Sequence, residues 1–200
     1  MAQRSSPSDP MRFPAEQIKP SGASFYGHLF ENSNVGLARN LFWSFRIEFM
    51  PLRYGESEFE CSMTSEWIVL PIRDWRSLEG ITLTSNGQPD LEASFYMTGH
   101  DPATLTHLSL RHIGGLRFDL EMAMVVDFKG YYRGDKCPQM PVKAQHEAEF
   151  QGIVLERDNL FPKPNIELGA VNSLAPFFDI TSLSAPVFEN GIYRFLPADA

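Results

Sequence analysis

Apolar and polar residues alternate with a period of two over several stretches of the chain. The clearest stretch has seven apolar residues at every second position, with Arg117, Asp119 and Glu121 among the residues between them. The seven are Leu116, Phe118, Leu120, Met122, Met124, Val126 and Phe128. A strand places all seven on one face, whereas a helix distributes them around its axis. The pattern therefore predicts a half-buried β-strand.

Shorter alternating runs over 41–49 and 59–63 predict further strands, and Gly or Asn-Gly turns separate the runs. The turns lie at 86–87, 99–102, 114–115 and 190–191, and such turns are typical of hairpins. Helical patterns are short, with one turn at 74–78 and a short helix at 24–31. Residues 142–151 fit a helix or a strand, and we favour the strand. The predicted fold class is all-β, an antiparallel barrel or sandwich of short strands joined by tight hairpins.

The chain length of 200 residues predicts one folded domain with extended terminal segments. Residues 1–22 are rich in Pro and Ser and are interpreted as a flexible arm. Residues 23–200 then form a single β-rich domain. Residues 158–200 contain five prolines and weak periodicity, so we expect this segment to wrap around the domain and to end in a short hairpin.

The charge and the motifs exclude several classes of protein. Lys and Arg number 17 against 25 Asp and Glu, a formal net charge of −8, and a general nucleic-acid binder needs the opposite balance. No apolar run approaches the roughly 18 residues of a membrane-spanning helix, and no secretory leader is evident, so we expect a cytoplasmic protein and no membrane partner. Phosphate-loop, dinucleotide, serine-hydrolase and zinc-helix motifs are missing. We therefore expect no metal and no cofactor.

The two cysteines, Cys61 and Cys137, match no metal-binding spacing. A domain of this size does not need a disulfide, so the reduced form is favoured, although pairing of the two stays open.

The pairing across Gly114-Gly115 decides whether polar side chains face the core. With a two-residue loop, Arg111 lies opposite Phe118 and His107 lies opposite Met122. Paired residues share a face, so polar groups of this strand would line an apolar interior. In a wet barrel cavity these residues would form a site with catalytic His107, Arg111 and His146, and with ligand-binding Ser109, Met122 and Phe118.

The alternative is a bulge at the same turn, and it is the register that we favour. A shift of one residue exchanges the two faces of the strand. Leu108 and Leu110 then join the core, while His107, Ser109 and Arg111 point to solvent. His146, considered by itself, is also expected to be a hydrogen-bonded core residue rather than a catalyst.

The polar phase of the predicted strands is rich in carboxylates, which include Glu48, Glu58, Glu60, Glu92, Asp119, Glu121, Asp127, Glu147 and Glu149. If these strands are neighbours, their acids form one acidic face that attracts basic partners. The alternative is a solvated surface that keeps the protein soluble. Trp67 and Trp75 add aromatic groups of the kind enriched at interfaces, although Trp75 also fits a role in capping the core.

Two functions follow as hypotheses. The leading one is a non-enzymatic acidic binding protein that engages a basic protein partner, as an immunity protein engages a toxin. The predicted partner-binding residues are Glu58, Glu60, Asp119, Glu121, Glu147, Glu149 and Trp75. The alternative is a β-barrel that binds or transforms a small apolar ligand by isomerase, cyclase or lyase chemistry. There, histidine is the general acid and base, and Arg111 holds an anionic group. The oligomeric state is left open.

Overall fold

The computed structural model describes residues 17–54, 56–85, 92–97, 99–127 and 139–198. The strands are β1 (Pro20–Asn32), β2 (Leu37–Tyr54), β3 (Ser57–Val69), β4 (Thr82–Thr84), β5 (Glu92–Tyr96), β6 (His100–Gly114), β7 (Arg117–Asp127), β8 (Gln139–Glu156), β9 (Val187–Glu189) and β10 (Ile192–Phe195). One α-helix, α1, covers Glu167–Leu174, and short 3₁₀ helices cover Ser33–Val35, Trp75–Leu78, Arg157–Asn159 and Ile180–Ser182.

Seven strands form a closed barrel in the order β1-β2-β3-β5-β6-β7-β8. Every pair along this path is antiparallel, and a parallel pair between β1 and β8 closes the barrel. β4 adds to β6, and the β9–β10 hairpin adds to the end of β8. The all-β prediction is confirmed, and the architecture is a barrel. None of the helices in the described part of the chain is long and apolar enough to cross a bilayer.

Apolar side chains fill the interior because the strands alternate as the sequence predicts. In β7 the residues Phe118, Leu120, Met122, Met124 and Val126 are all at most 1% exposed. Leu116 is partly buried, and Phe128 lies outside the described residues. Aromatic rings meet across the barrel: Phe25 lies 5.2 Å from Phe118 and 5.4 Å from Phe150, measured between ring centroids.

The β6–β7 pairing has the shifted register. Leu110 pairs with Leu120 and Leu108 pairs with Met122, and register shifts occur on both sides, between Leu105 and His107 and between His112 and Gly114. The strict two-residue pairing is therefore wrong for this hairpin. Leu108 and Leu110 are buried, at 0% and 2% exposure, because they are the residues of this stretch that can fill the interior without leaving polar groups there.

The segment that follows β8 closes one end of the barrel. Ala170 and Leu174 of α1 and Phe178 after it are all buried, and the Phe178 ring lies 6.2 Å from that of Trp43. Trp75 packs beside them with its ring 5.9 Å from Phe150. This segment thus supplies core residues as well as an outer covering.

Other local predictions have mixed outcomes. The strand interpretation of 142–151 is confirmed by β8, and the 190–191 turn joins β9 to β10. The short helix predicted at 24–31 is wrong, because these residues belong to β1. β1 begins at Pro20, within the predicted arm, while residues 1–16 lie outside the described residues. The 86–87 turn also lies outside them, and β4 and β5 both pair with β6 rather than with each other.

Candidate functional site

The polar residues of β6 lie on the outside of the barrel. His107 Nε2 is 3.6 Å from Glu121 Oε1, and Arg111 donates to Asp119 Oδ2 at 2.6 Å. Ser109 pairs with Glu121 on the same outer face. This placement contradicts the inward orientation that the enzyme hypothesis requires, and its physical reason is the register shift that turns Leu108 and Leu110 inward.

The other residues predicted for an inner cavity are part of the wall or of the packed core. Phe118 and Met122 are fully buried among apolar side chains. His146 shares the inward phase of β8 and pairs with Leu120. Its side chain is only partly buried, and its Nδ1 lies 2.8 Å from the Glu147 carbonyl oxygen. The described structure therefore does not bring His107, Arg111 and His146 together inside the barrel.

Most of the predicted acidic face is neutralised by neighbouring strands. Lys143 Nζ lies 2.8 Å from Glu121 Oε1, and the amide of Gln145 and the guanidinium of Arg111 lower the pKa of Asp119. Basic partners lie within 4.0 Å of Glu48, Glu58, Asp119, Glu121 and Glu147. The outer wall formed by β6, β7 and β8 therefore has mixed charge rather than being uniformly acidic.

Two acids on the opposite wall face each other instead. Glu66 of β3 pairs directly with Glu92 of β5, and neither has an ion-pair partner among the described residues. Like charges directly opposite in an antiparallel pair are destabilising. This pair is therefore a site of uncompensated negative charge on the outer surface of the barrel.

An aromatic cluster adjoins Glu66 on the outer face of β1, β2 and β3. The sequence Phe25-Tyr26-Gly27-His28-Leu29-Phe30 has buried residues at the odd positions and aromatic residues at the even, outward ones. Trp67 packs against three of the rings, with centroid distances of 4.8 Å to His28, 4.9 Å to Phe30 and 5.3 Å to Phe42. We call Tyr26, His28, Phe30, Phe42 and Trp67 the outer aromatic cluster.

An irregularity in β3 presents the Trp67 ring. Trp43 pairs with Ile68 and Phe45 pairs with Ser65, so one residue of β2 faces two of β3. Trp67 has φ of 61°, in the left-handed region, which a bulky residue rarely adopts. Such a conformation costs about 1–3 kcal/mol and occurs preferentially at functional sites.

Two buried polar atoms at this cluster, one in it and one beside it, have no hydrogen bond among the described residues. His28 Nδ1 and Ser44 Oγ are both buried without a partner, and each unpaired group costs about 1–3 kcal/mol. Burial lowers the pKa of His28 to about 4, because the surroundings disfavour the charged imidazolium. His28 is thus a neutral aromatic ring at physiological pH.

A cavity of about 360 Å³ opens beside the cluster. Its lining comprises Tyr26, His28, Leu29, Phe30, Glu66, Trp67, Val154, Glu156 and Asn159. Glu66 stands on the β3 side and Glu156 stands on the β8 side, so a carboxylate lies at each flank of an aromatic floor. We call this cavity the outer pocket.

A second cavity, of about 500 Å³, lies beside α1 and has a different character. Its two cations are already engaged: Arg39 donates to Glu31 at 2.8 Å and to the Phe161 carbonyl at 2.6 Å, and Lys163 lies 3.0 Å from Asp158. This cavity therefore offers no uncompensated charge to a ligand.

The remaining predicted residues have structural positions. Trp75 is 4% exposed and donates through Nε1 to the Ser182 carbonyl at 3.3 Å, so it packs the core and does not present a binding surface. Cys61 is buried and free, and burial raises the pKa of its thiol to about 11. Cys137 lies outside the described residues. Within the ranges that the structure describes, no group of three or more His, Cys, Asp or Glu side chains could hold a metal ion.

Sequence reasoning had noted Trp67 but not the pocket beside it. The signal for the pocket that the sequence contains is in β1, where the outward-facing positions carry aromatic residues. Such residues are expected on an outer face when that face is also covered. Comparison with known proteins adds no information on the site, since no protein-family model, no curated protein and no solved structure matches the chain.

Proposed function

We propose that the protein is a non-enzymatic binding protein that engages a basic protein partner through the wall formed by β1, β2, β3 and β5. The observation that carries the proposal is the Glu66–Glu92 pair, which has no basic partner among the described residues, while Asp119, Glu121 and Glu147 on the opposite wall are ion-paired within the chain. A lysine or arginine side chain of a partner would relieve the repulsion between the two carboxylates.

The proposal changes the location of the binding surface expected from sequence. Of the residues predicted to bind a partner, Glu58, Asp119, Glu121 and Glu147 are ion-paired within the chain, so a partner must displace a resident cation to reach them. Glu66 and Glu92, like the predicted Glu60 and Glu149, have no ion-pair partner among the described residues and require no such exchange, but only Glu66 and Glu92 lie directly opposite each other. Attraction at these two positions therefore contributes to the rate of association at low salt.

A cytoplasmic location belongs to the same proposal. The supporting observation is Cys61, which is free and buried, as is usual for a protein of a reducing compartment.

Binding of a labelled lysine-rich peptide, measured by stopped-flow fluorescence at low and at physiological ionic strength, tests the proposal. We expect association with the wild type to slow as salt rises, because screening shortens the reach of the carboxylates. The double variant Glu66→Gln/Glu92→Gln should associate about threefold to tenfold more slowly at low salt.

The matched control is Asp119→Asn/Glu147→Gln, which changes the net charge by the same amount on the opposite wall. This variant should associate at nearly the wild-type rate. Equal slowing by the two double variants would show that the peptide responds only to net charge, and it would overturn the proposed surface.

A further inference from the structure

The outer pocket combines an apolar floor with charged rims. Rings of Tyr26, His28, Phe30 and Trp67 line it, together with Leu29 and Val154. The faces of aromatic rings attract cations placed within about 6 Å of the ring centroid. The floor is therefore suited to a group that is both apolar on its surface and positively charged.

The charges around the pocket favour a cation. Glu66 and Glu156 are the ionisable carboxylates of the lining, and no lysine or arginine belongs to it among the described residues. His28 remains neutral and does not repel a cation. Arg194, which pairs with Val154 on β8, and Arg157, which follows Glu156, do not line the pocket.

The pocket suits a methylated ammonium better than a primary one. A primary ammonium has three N–H donors and is strongly hydrated, and the ring faces of Phe30 and Trp67 supply no acceptors for these donors. Methylation replaces the donors by apolar surface and keeps the charge. A trimethylammonium group then contacts the rings while Glu66 and Glu156 balance its charge from the flanks.

Local strain also points to a ligand at this place. Trp67 holds a left-handed backbone conformation, and His28 Nδ1 and Ser44 Oγ are buried without partners on the same outer face. With this backbone conformation, the Trp67 ring already packs against His28, Phe30 and Phe42 in the absence of a ligand. A pre-organised aromatic wall binds with less loss of conformational freedom.

We propose that the outer pocket binds a methylated lysine side chain of the basic partner, with the trimethylammonium group on the floor formed by the rings of Trp67, Phe30, Tyr26 and His28 and with Glu66 and Glu156 at its flanks. This inference rests on the proposed function, since it names the group of the partner that enters the pocket next to the Glu66–Glu92 pair.

The experiment compares two lysine-rich peptides of the same sequence by isothermal titration calorimetry, one with a single trimethyllysine and one unmodified. We expect the trimethylated peptide to bind about tenfold more tightly, which corresponds to about 1.4 kcal/mol and lies within the range for cation–π contacts. Choline and its neutral tert-butyl analogue, 3,3-dimethylbutan-1-ol, test the role of charge, and choline should bind more tightly.

Two variants remove the aromatic contribution. Trp67→Asn takes away the ring and places at this position a residue that tolerates the left-handed conformation. Phe30→Leu keeps an apolar side chain and removes one ring with less disturbance to folding. Both should reduce the preference for trimethyllysine to about twofold or less, while Phe188→Leu, at an exposed aromatic residue outside the pocket, should leave it unchanged.

The outcomes separate this inference from the proposed function. Equal affinity for the two peptides, with binding still weakened by Glu66→Gln/Glu92→Gln, would overturn the methyl-lysine site alone. Binding of both peptides that ignores those two carboxylates would overturn the proposed surface. Equal binding of choline and its neutral analogue, or a preference for trimethyllysine that survives both Trp67→Asn and Phe30→Leu, would also refute the inference.

Discussion

Gly152 is the position at which a single added methyl group should be most damaging. It has φ of 89° and lies in β8 where one edge of this strand changes from pairing with β7 to pairing with β10, while the other edge pairs with β1 on both sides of it. A Cβ atom here would overlap the carbonyl oxygen of Phe195 and would lie 3.2 Å from Leu196 Cα. Both neighbours are backbone atoms, so they cannot move aside as a flexible side chain would.

The cost of Gly152→Ala has two parts. The left-handed conformation costs about 1–2 kcal/mol for a residue with a Cβ. The overlap forces β10 away from β8, where four residue pairs join the strands, and the loss of two or three backbone hydrogen bonds adds about 0.5–1.5 kcal/mol each. We therefore expect a total loss of about 2–6 kcal/mol.

Gly191→Ala is the matched control. Gly191 has φ of 85°, nearly that of Gly152, but a Cβ there meets no atom within 4 Å. It should lose only the conformational part, about 1–2 kcal/mol. Urea denaturation measures both losses when the dependence of unfolding free energy on urea has the same slope for the variants and the wild type. In a chain of this length each kcal/mol lowers Tm by roughly 2–4 °C. Equal destabilisation by the two variants would refute the steric argument.

Four further outcomes follow from the structure. Leu110→Ala should lower the free energy of unfolding by about 2–5 kcal/mol because it empties a core position. Arg111→Ala should lower it by at most about 1 kcal/mol in the same urea titrations. The reverse order would contradict the bulged register. The lowered pKa of His28, about 4 against an ordinary 6.5, means that protons bind the unfolded chain first as pH falls through this interval. As pH falls through this interval, the free energy of unfolding of the wild type should thus fall by about 2–3 kcal/mol relative to that of His28→Gln. Parallel curves of unfolding free energy against pH for the two proteins would be inconsistent with a buried neutral imidazole. Burial and the Asp127 charge raise the pKa of Asp101, so Asp101→Asn should raise Tm at pH 7, with a gain that shrinks as pH falls through the folded pKa. Iodoacetamide followed by peptide mass spectrometry should modify Cys61 only in denaturant, because its thiol is buried and its pKa is about 11; modification under native conditions would contradict this.

The barrel strands were predictable where one face is buried and the other is solvated. In β7 the alternation of Phe118 to Val126 with charged residues follows directly from this asymmetry. The same logic identified β8, in which Ala144, Ala148 and Phe150 share the buried phase. The helix α1 was not predicted, since Ala170 and Leu174 provide only two buried positions over eight residues, too few for a clear helical period.

The sequence leaves two alternatives for the register between β6 and β7 and does not contain the information that decides between them. Turn residues of the Gly-Gly type fit a two-residue loop and a bulged one equally well. The choice depends on the energy of the whole pair, because the shifted register buries Leu108 and Leu110 and leaves Arg111 free to meet Asp119. This balance involves residues from two strands, and a local pattern does not contain it.

The outer pocket was not predicted for a related reason: it depends on the outer face of the strands, where the period-two pattern predicts residues exposed to solvent. In β1 the outward residues Tyr26, His28 and Phe30 are aromatic, and they gain neighbours only when β2 and a bulged β3 lie beside them. The Glu66–Glu92 pair likewise exists only through the pairing of β3 with β5. Strand pairing thus decides which carboxylates are compensated, because cations of β6, β7 and β8 lie beside Asp119, Glu121 and Glu147, whereas Glu66 and Glu92 lie opposite each other.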